Sequence, residues 1–259
     1  MRIPMYQVDA FASQVFSGNP AAVCPLEKWL PDEQMQSIAA ENNLSETAFF
    51  VPNGNGYHLR WFTPKVEVDL CGHATLASAF VILTELAPSR ESVRFETKSG
   101  TLNVTRDGEL YSLDFPSRAP EECAVYPQLI PALGGQPEKV LAASDYLVVY
   151  KSEEEVRALR PDMEALMQVD RFAVIVTAPG TRSDFVSRFF APAKGVPEDP
   201  VTGRAHCTLI PYWSKRLGKK KLHAWQASPR GGELWCEDRG ERVTISGRAV
   251  RFLEGSIFL

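Results

Sequence analysis

Glu46 stands in Leu44-Ser45-Glu46-Thr47-Ala48-Phe49-Phe50-Val51, a stretch that begins as a turn and becomes an apolar strand. A carboxylate at the mouth of such a strand, beside residues that must be buried, is costly unless it is paired, hydrogen-bonded or protonated. A group held that way suits acid/base chemistry. The alternative is a carboxylate that caps its own loop by accepting N–H groups. A second chemistry is suggested by Gly72 and Gly203, each placed where an apolar run long enough for a helix begins. Free N–H groups and the positive end of the dipole make a helix start an anion site. Two such starts aimed at one cleft predict a small anionic ligand, most simply a carboxylate, held between two domains. Either glycine by itself could equally satisfy a tight turn.

The elements that must position these residues occur twice. Arg60-Trp61-Phe62-Thr63-Pro64 answers to Arg188-Phe189-Phe190-Ala191-Pro192, and Gly72-His73-Ala74 to Gly203-Arg204-Ala205 after a small insertion. Downstream, Ser99-Gly100-Thr101-Leu102 and Asp107-Gly108 match Gly231-Gly232-Glu233-Leu234 and Arg239-Gly240. Blocks repeated in the same order indicate a duplication. The run from Ala74 to Leu83 has almost no polar face, so its helix must be buried on all sides, yet it is too short to span a membrane. Alternating segments at Val66–Val68, Val93–Phe95 and Leu102–Val104 supply the surround, giving a helix enclosed by a curved sheet, twice over. Pro211 in the second helix is expected to kink or shorten it.

A chain of 259 residues suits two modest domains. Lys+Arg 28 against Asp+Glu 32 gives a mildly acidic protein with no nucleic-acid surface, and Lys219-Lys220-Lys221 reads as a solvated helix end or turn. Five cysteines without CxxC pairing read as reduced thiols in a cytosolic protein, with no metal site. The opening MRIPMYQVDAF lacks the apolar core of a signal peptide, and no run approaches a membrane span. Tyr6–Phe11 reads as a strand, Phe16–Pro20 as a turn, and Pro31-Asp32-Glu33-Gln34 as a helix opening that ends near Asn42-Asn43, with Met35, Ile38 and Ala39 as its apolar stripe. The Pro-rich stretch 115–131 is the best linker, so domains are expected at 1–116 and 117–248, with the strand-like 249–259 free to return to the first.

NNLSETAFFV, FTPKVEVDLCGHATLASA and EDPVTG, together with SGNP, PYW and RGGEL, resemble the signatures of the phenazine-biosynthesis isomerase (PhzF-like) family over nearly the whole chain. The resemblance implies an α/β (α+β) diaminopimelate epimerase fold: two pseudo-symmetric domains, each a barrel-like mixed sheet around a central helix, with the active site between them. It implies that Glu46 is the catalytic acid/base and that His73 and Asp199 are the other polar catalytic residues. Asn19 and the backbones of Gly72 and Gly203 would bind substrate. A proton-shifting isomerase of this kind uses no cofactor or metal, acts on a small carboxylate, and forms a homodimer. Cys71 resembles the first thiol of the epimerase cousins, but the second copy offers Asp199-Pro200 where they have a cysteine, which argues against a two-thiol racemase.

The family usually reads DPxTGSA, whereas this chain reads Asp199-Pro200-Val201-Thr202-Gly203-Arg204-Ala205. Arg204 could clamp an extra acidic group of the substrate bidentately, swing out to solvent, or fill the pocket of a member without the parent activity. Two rival functions follow from the same residues. One is an amino- or hydroxy-acid epimerase using Glu46 and Cys71, and the other is a non-catalytic ligand-binding protein that keeps the fold.

Overall fold

Alternating burial carries the chain into strand at once, and the pattern recurs across two compact units that together account for residues 1–259. Unit 1 comprises Met1–Asp114 with Ser246–Leu259, and unit 2 Phe115–Ile245. The chain begins β1 (Arg2–Ala10), β2 (Asn19–Pro25), α1 (Asp32–Asn42), β3 (Glu46–Asn53), β4 (Gly56–Phe62), β5 (Glu67–Val68), α2 (Gly72–Val81), β6 (Ser92–Thr97), β7 (Gly100–Asp107) and β8 (Leu110–Pro116). It continues through β9 (Glu121–Glu122), α3 (Leu129–Leu133), β10 (Lys139–Ala142), β11 (Tyr146–Val149), α4 (Glu153–Ala158), α5 (Met163–Leu166), β12 (Val174–Pro179) and β13 (Phe185–Ala191). Last come β14 (Val196–Asp199), α6 (Gly203–Leu217), β15 (Lys221–Gln226), β16 (Gly232–Asp238), β17 (Arg242–Gly247) and β18 (Ala249–Phe258). These coordinates are a computed structural model of the chain.

The duplication is visible in the strand pairing. In unit 1 the order β18-β1-β2-β3-β4-β6-β7 is joined antiparallel, antiparallel, parallel, antiparallel, parallel, antiparallel. In unit 2 the order β9-β10-β11-β12-β13-β15-β16 has the same senses in the same sequence. The short strands β5 and β14 attach antiparallel to β4 and β13 at equivalent places. An ion pair repeats with them. Arg60 on β4 grips Glu67 on β5 with Nε–Oε1 2.7 Å and NH2–Oε2 2.9 Å, and Arg188 on β13 grips Glu198 on β14 at the same 2.7 and 2.9 Å. A planar guanidinium matches a carboxylate in this parallel-bond fork. It therefore fixes the hairpin that leads into each helix. Here the repeated pentapeptide of the sequence acquires its reason.

Each unit holds a buried helix. From His73 to Ala79 every residue of α2 is buried, and the helix packs against β1, β2, β3 and β18. It runs on as one π-turn, Ile82–Leu86, closed by Ala87 N–H to Ile82 O at 2.7 Å. In unit 2, α6 packs against β15 and β16. Contrary to expectation, Pro211 does not shorten α6, which extends fifteen residues. The carbonyl that a prolyl nitrogen cannot serve is that of Cys207, and it accepts instead from the Arg118 amide at 2.9 Å. The Pro-rich stretch before α3 thus completes the helix it precedes.

α1 lays Met35, Ile38 and Ala39 on Cys24, Phe49 and Phe62 of the sheet. Pro31 lies just before this helix rather than inside it, and Asn43 ends it at φ +50°. The C-terminal strand β18 returns to unit 1 as the antiparallel partner of β1. No helix is long and apolar enough to cross a membrane.

Candidate active site

In unit 1 the pleat and one tight turn bring four side chains together. Gly18 has φ +66°, and a Cβ there would come within 2.1 Å of the Ala10 carbonyl oxygen, so only glycine lets the chain fold back into β2. That turn places Asn19 as the first residue of β2. β2 runs parallel to β3 with Ala21 opposite Glu46, which brings Glu46, the first residue of β3, to the same end of the sheet. Cys71, Gly72 and His73 arrive there as the N-cap and first two residues of α2. No side chain caps that helix start.

The imidazole of His73 is the hub. Its Nε2 lies 3.1 Å from Glu46 Oε2, and its Nδ1 lies 3.2 Å from Asn19 Nδ2 and 3.5 Å from Cys71 Sγ. The Glu46–His73 approach is a close ionic contact rather than an aligned hydrogen bond. Burial by itself would push the His73 imidazole down, but the Cys71 sulfur and the Glu46 carboxylate outweigh it, and its pKa is raised well above the ordinary value. Burial raises the Cys71 thiol, with Glu46 adding to the effect and His73 opposing it. The carboxylate that the sequence leaves at a strand mouth is therefore paired with an imidazole.

Glu46, Cys71 and His73 offer donor atoms within 4.8 Å of one another, a set from which a divalent ion could be held. Thiol and carboxylate address opposite nitrogens of the ring, so an ion seated on one nitrogen would have to draw in the partner of the other. As it stands, the arrangement is an imidazole set between a carboxylate and a thiol.

In unit 2 the equivalent helix start is built differently. Asp199, the last residue of β14, accepts from Thr202 Oγ1 at 2.5 Å, and Thr202 is the N-cap before Gly203. Gln226 at the end of β15 is fully buried and ties this corner three ways. Its Oε1 accepts from Thr202 N at 2.8 Å, and its Nε2 donates to Asp199 O at 2.8 Å and Thr202 Oγ1 at 3.2 Å. Again no side chain caps the start. Arg204 is committed within its own unit. It forks onto the buried Asp145 at 3.1 and 2.8 Å, and its guanidinium lies 4.2 Å from the centroid of the Phe172 ring. Asp145 immediately precedes β11, the counterpart of β2, so Asp145–Arg204 occupies the place that Asn19–His73 has in unit 1. No acidic side chain opens β12, the counterpart of β3.

Gln226 and Asp145 escaped the reading of the sequence. Nothing local marks Gln226 in Ala224-Trp225-Gln226-Ala227. Asp145, however, could have been found by carrying the duplication back one strand from Asn19.

Known proteins show the family of this chain. The profile of the phenazine biosynthesis-like protein family (PhzC-PhzF) matches residues 8–255. The chain belongs to that family. It is 53% identical over its full length to an uncharacterized isomerase of Pseudomonas aeruginosa, itself covered completely. The crystal structure of a PhzF-family phenazine biosynthesis protein from Enterococcus faecalis superposes with a TM-score of 0.98 at 52% identity, covering 100% of both chains. A hydroxyproline epimerase of Agrobacterium vitis, solved with bound trans-4-hydroxy-L-proline, shares the fold at 11% identity, with a TM-score of 0.62 over 99% of this chain and 92% of that one. The architecture of this family member is therefore diaminopimelate epimerase-like, a mixed α/β fold with a duplicated sheet-and-helix unit.

Proposed function

We propose that the chain is a cofactor-independent isomerase that shifts a proton on a small carboxylate substrate, with Glu46 as the acid/base. The observation that carries this reading is the pairing of Glu46 with His73 at 3.1 Å, at the uncapped start of a buried helix. An anionic Glu46 takes a proton from a carbon adjacent to an unsaturated system. The electron pair of that C–H bond delocalises toward the substrate carboxylate, and Glu46 returns the proton to another carbon on the same face. Atoms and charge balance without a redox partner. His73, whose pKa its neighbours raise, lies against the Glu46 carboxylate. In this proposal the helix-start N–H groups at Gly72 hold the substrate carboxylate as negative charge develops. Asn19 orients its polar substituents. The relatives named isomerases support the reaction class.

The rival epimerase reading, with Cys71 as a second base, has the thiol 3.5 Å from the same imidazole in its favour. The raised pKa of that thiol counts against it, since the thiolate is the form that abstracts protons. Exchange of substrate C–H for deuterium in D2O, followed by NMR, separates the readings. The substrates are a panel of unsaturated and amino carboxylates that includes a dihydro-hydroxyanthranilate. General acid/base catalysis is worth roughly 10²–10⁴-fold, so Glu46→Gln should slow exchange by about that factor while Cys71→Ala leaves it within severalfold. Exchange by Glu46→Gln at the wild-type rate would defeat the proposal. Opposite enantiomers of one substrate failing in the two variants would establish the epimerase.

A further inference from the structure

Two side chains of unit 1 converge on one ring nitrogen, at the spacing of ligands around a metal ion. His73 Nδ1 has Cys71 Sγ at 3.5 Å and the Asn19 side-chain amide at 3.2 Å. All three residues are more than nine-tenths buried: Asn19 is 0% exposed, His73 5% and Cys71 6%. The neutral imidazole with its proton on Nε2, the side toward Glu46, leaves the Nδ1 lone pair facing thiol and amide together. One lone pair serves one well-aligned donor, so the pair of donors exceeds what the nitrogen satisfies. A metal ion at that point engages all three groups at once.

The distances fit. A tetrahedral zinc ion, with Zn–S about 2.3 Å and Zn–N about 2.0–2.1 Å, sets its sulfur and nitrogen ligands about 3.5–3.6 Å apart. Sγ and Nδ1 already stand at 3.5 Å. An oxygen and a nitrogen ligand are about 3.3–3.5 Å apart on the same ion, against 3.2 Å between the Asn19 amide and Nδ1. Half a turn of that amide puts its oxygen where its nitrogen stands, since the two ends have the same shape. The far side of the ring carries the partner that metal-bound histidines use. Glu46 Oε2 lies 3.1 Å from Nε2, where a carboxylate fixes the tautomer and strengthens the ligand. With the thiol ionised, Cys71 and Glu46 together balance the charge of a divalent cation.

We infer that Cys71 Sγ, His73 Nδ1 and Asn19 Oδ1 form a site for a thiophilic divalent cation of the zinc type, with Glu46 as its outer carboxylate. This set differs from Glu46, Cys71 and His73 as three direct donors, because it leaves thiol and carboxylate on their own sides of the ring. A fourth position stays open to water or a carboxylate ligand. On binding, the thiol releases its proton to solvent and the sulfur–metal bond forms, with no change of oxidation state. Thiolate and imidazole select zinc-like ions over magnesium or calcium, which take oxygen ligands. The ion is an inhibitor of the site and no reagent for the proton shift. Glu46 becomes committed to the metal-bound ring, so the loaded protein loses C–H exchange. That consequence, unlike the binding itself, rests on the isomerase reading.

The test is a cobalt(II) titration of the full-length protein, kept reduced with a phosphine and followed by absorption. The expected result is one ion per chain, with a sulfur-to-cobalt charge-transfer band in the near ultraviolet and the strong visible bands of a four-coordinate ion. Equimolar zinc should erase both, and a large excess of magnesium should not. Cys71→Ser should abolish the charge-transfer band. Asn19→Ala should weaken binding at least about tenfold, and Glu46→Gln by about 10–100-fold with the band retained. Cys123→Ser, which removes the one thiol that is not buried, should change nothing. Far-UV circular dichroism like that of wild type shows each variant folded, and Cys71→Ala stands in for the serine variant. Melting gives a second readout: saturating zinc should stabilise wild type and leave Cys71→Ser unmoved. A wild type without the charge-transfer band at millimolar cobalt overturns the inference. So does a band that survives Cys71→Ser or disappears with Cys123→Ser. Unchanged C–H exchange by the zinc-loaded protein would overturn the inhibition and the assignment of Glu46 to exchange, while the optical bands still report the site.

Discussion

Lowering the pH from 8 to 5 should cost this protein about 2 kcal/mol through one side chain, His206. The residue is fully buried on α6, where its Nδ1 lies 2.8 Å from the Thr202 carbonyl and the ring faces Phe185. The Nδ1–H donates to that carbonyl, so the neutral ring is satisfied. A second proton would sit on Nε2, which has no acceptor. Burial accordingly pushes the imidazole from 6.5 to about 4. The unfolded chain therefore binds a proton that the folded one refuses in this interval. Stability from this group is complete above pH 6.5 and is lost progressively as pH falls toward 4. With those two values the loss is about 2 kcal/mol at pH 5 and about 3 kcal/mol in the limit. His73 acts in the opposite sense, because its pKa is raised: its contribution is present below 6.5 and disappears as pH rises through its folded value. Urea unfolding of wild type and His206→Gln at pH 8, 6 and 5 isolates the term, since every other group titrates in both proteins. The stability gap between wild type and variant should shrink by about 2 kcal/mol between pH 8 and 5. Two parallel pH profiles would refute the reasoning.

Gly18→Ala should destabilise by roughly 1–3 kcal/mol or more, from the left-handed backbone and the contact with Ala10 O, as a lowered melting temperature would record. Arg188→Met should cost about 3–5 kcal/mol in denaturant unfolding, because the partly buried Glu198 loses its cation and the Val156 and Leu159 carbonyls lose their donor. Arg60→Met should cost about 1–2 kcal/mol, since Glu67 keeps Lys98 at 2.6 Å; equal losses would contradict this account of the two forks. Gln226→Leu strands the Thr202 N–H and should cost roughly 1–3 kcal/mol, read by the same unfolding assay.

The duplication and the buried helices were legible because each depends on local pattern. The aromatic strand, the Pro, the Gly and the unbroken apolar run all constrain their own neighbourhood. Pro211 shows where local reasoning stops: the expected break is repaired by Arg118, far away in sequence, and no propensity scale contains that amide. The position of Glu46 at a strand mouth was equally readable, but its partner was not derivable from periodicity. The contact with His73 exists because β2, β3 and α2 begin at one place, a fact of parallel pairing rather than of spacing. Gln226 is the extreme case, a buried amide whose three bonds join residues more than twenty positions away.

Arg204 separates structural repetition from chemistry most directly. A guanidinium at a helix start invites the reading of a substrate clamp, yet its fork is filled by Asp145, whose side chain is 1% exposed against 35% for Arg204. The pair sits where unit 1 has Asn19 and His73, so the same scaffold position joins an amide to an imidazole in one copy and is an internally neutralised ion pair in the other. Arg204→Ser decides between a structural tie and a clamp. Loss of the tie leaves a buried carboxylate without its cation, expected to cost about 2–3 kcal/mol once the half-exposed arginine is allowed for. Asp145→Asn/Arg204→Ser should recover most of that stability. Loss of a clamp would instead raise KM on whichever carboxylate exchanges and leave the unfolding curve where it was. If stability falls and the double variant restores it, the residue that most distinguishes this chain from its family pattern belongs to the fold. A stable Arg204→Ser protein with a raised KM would return it to the substrate.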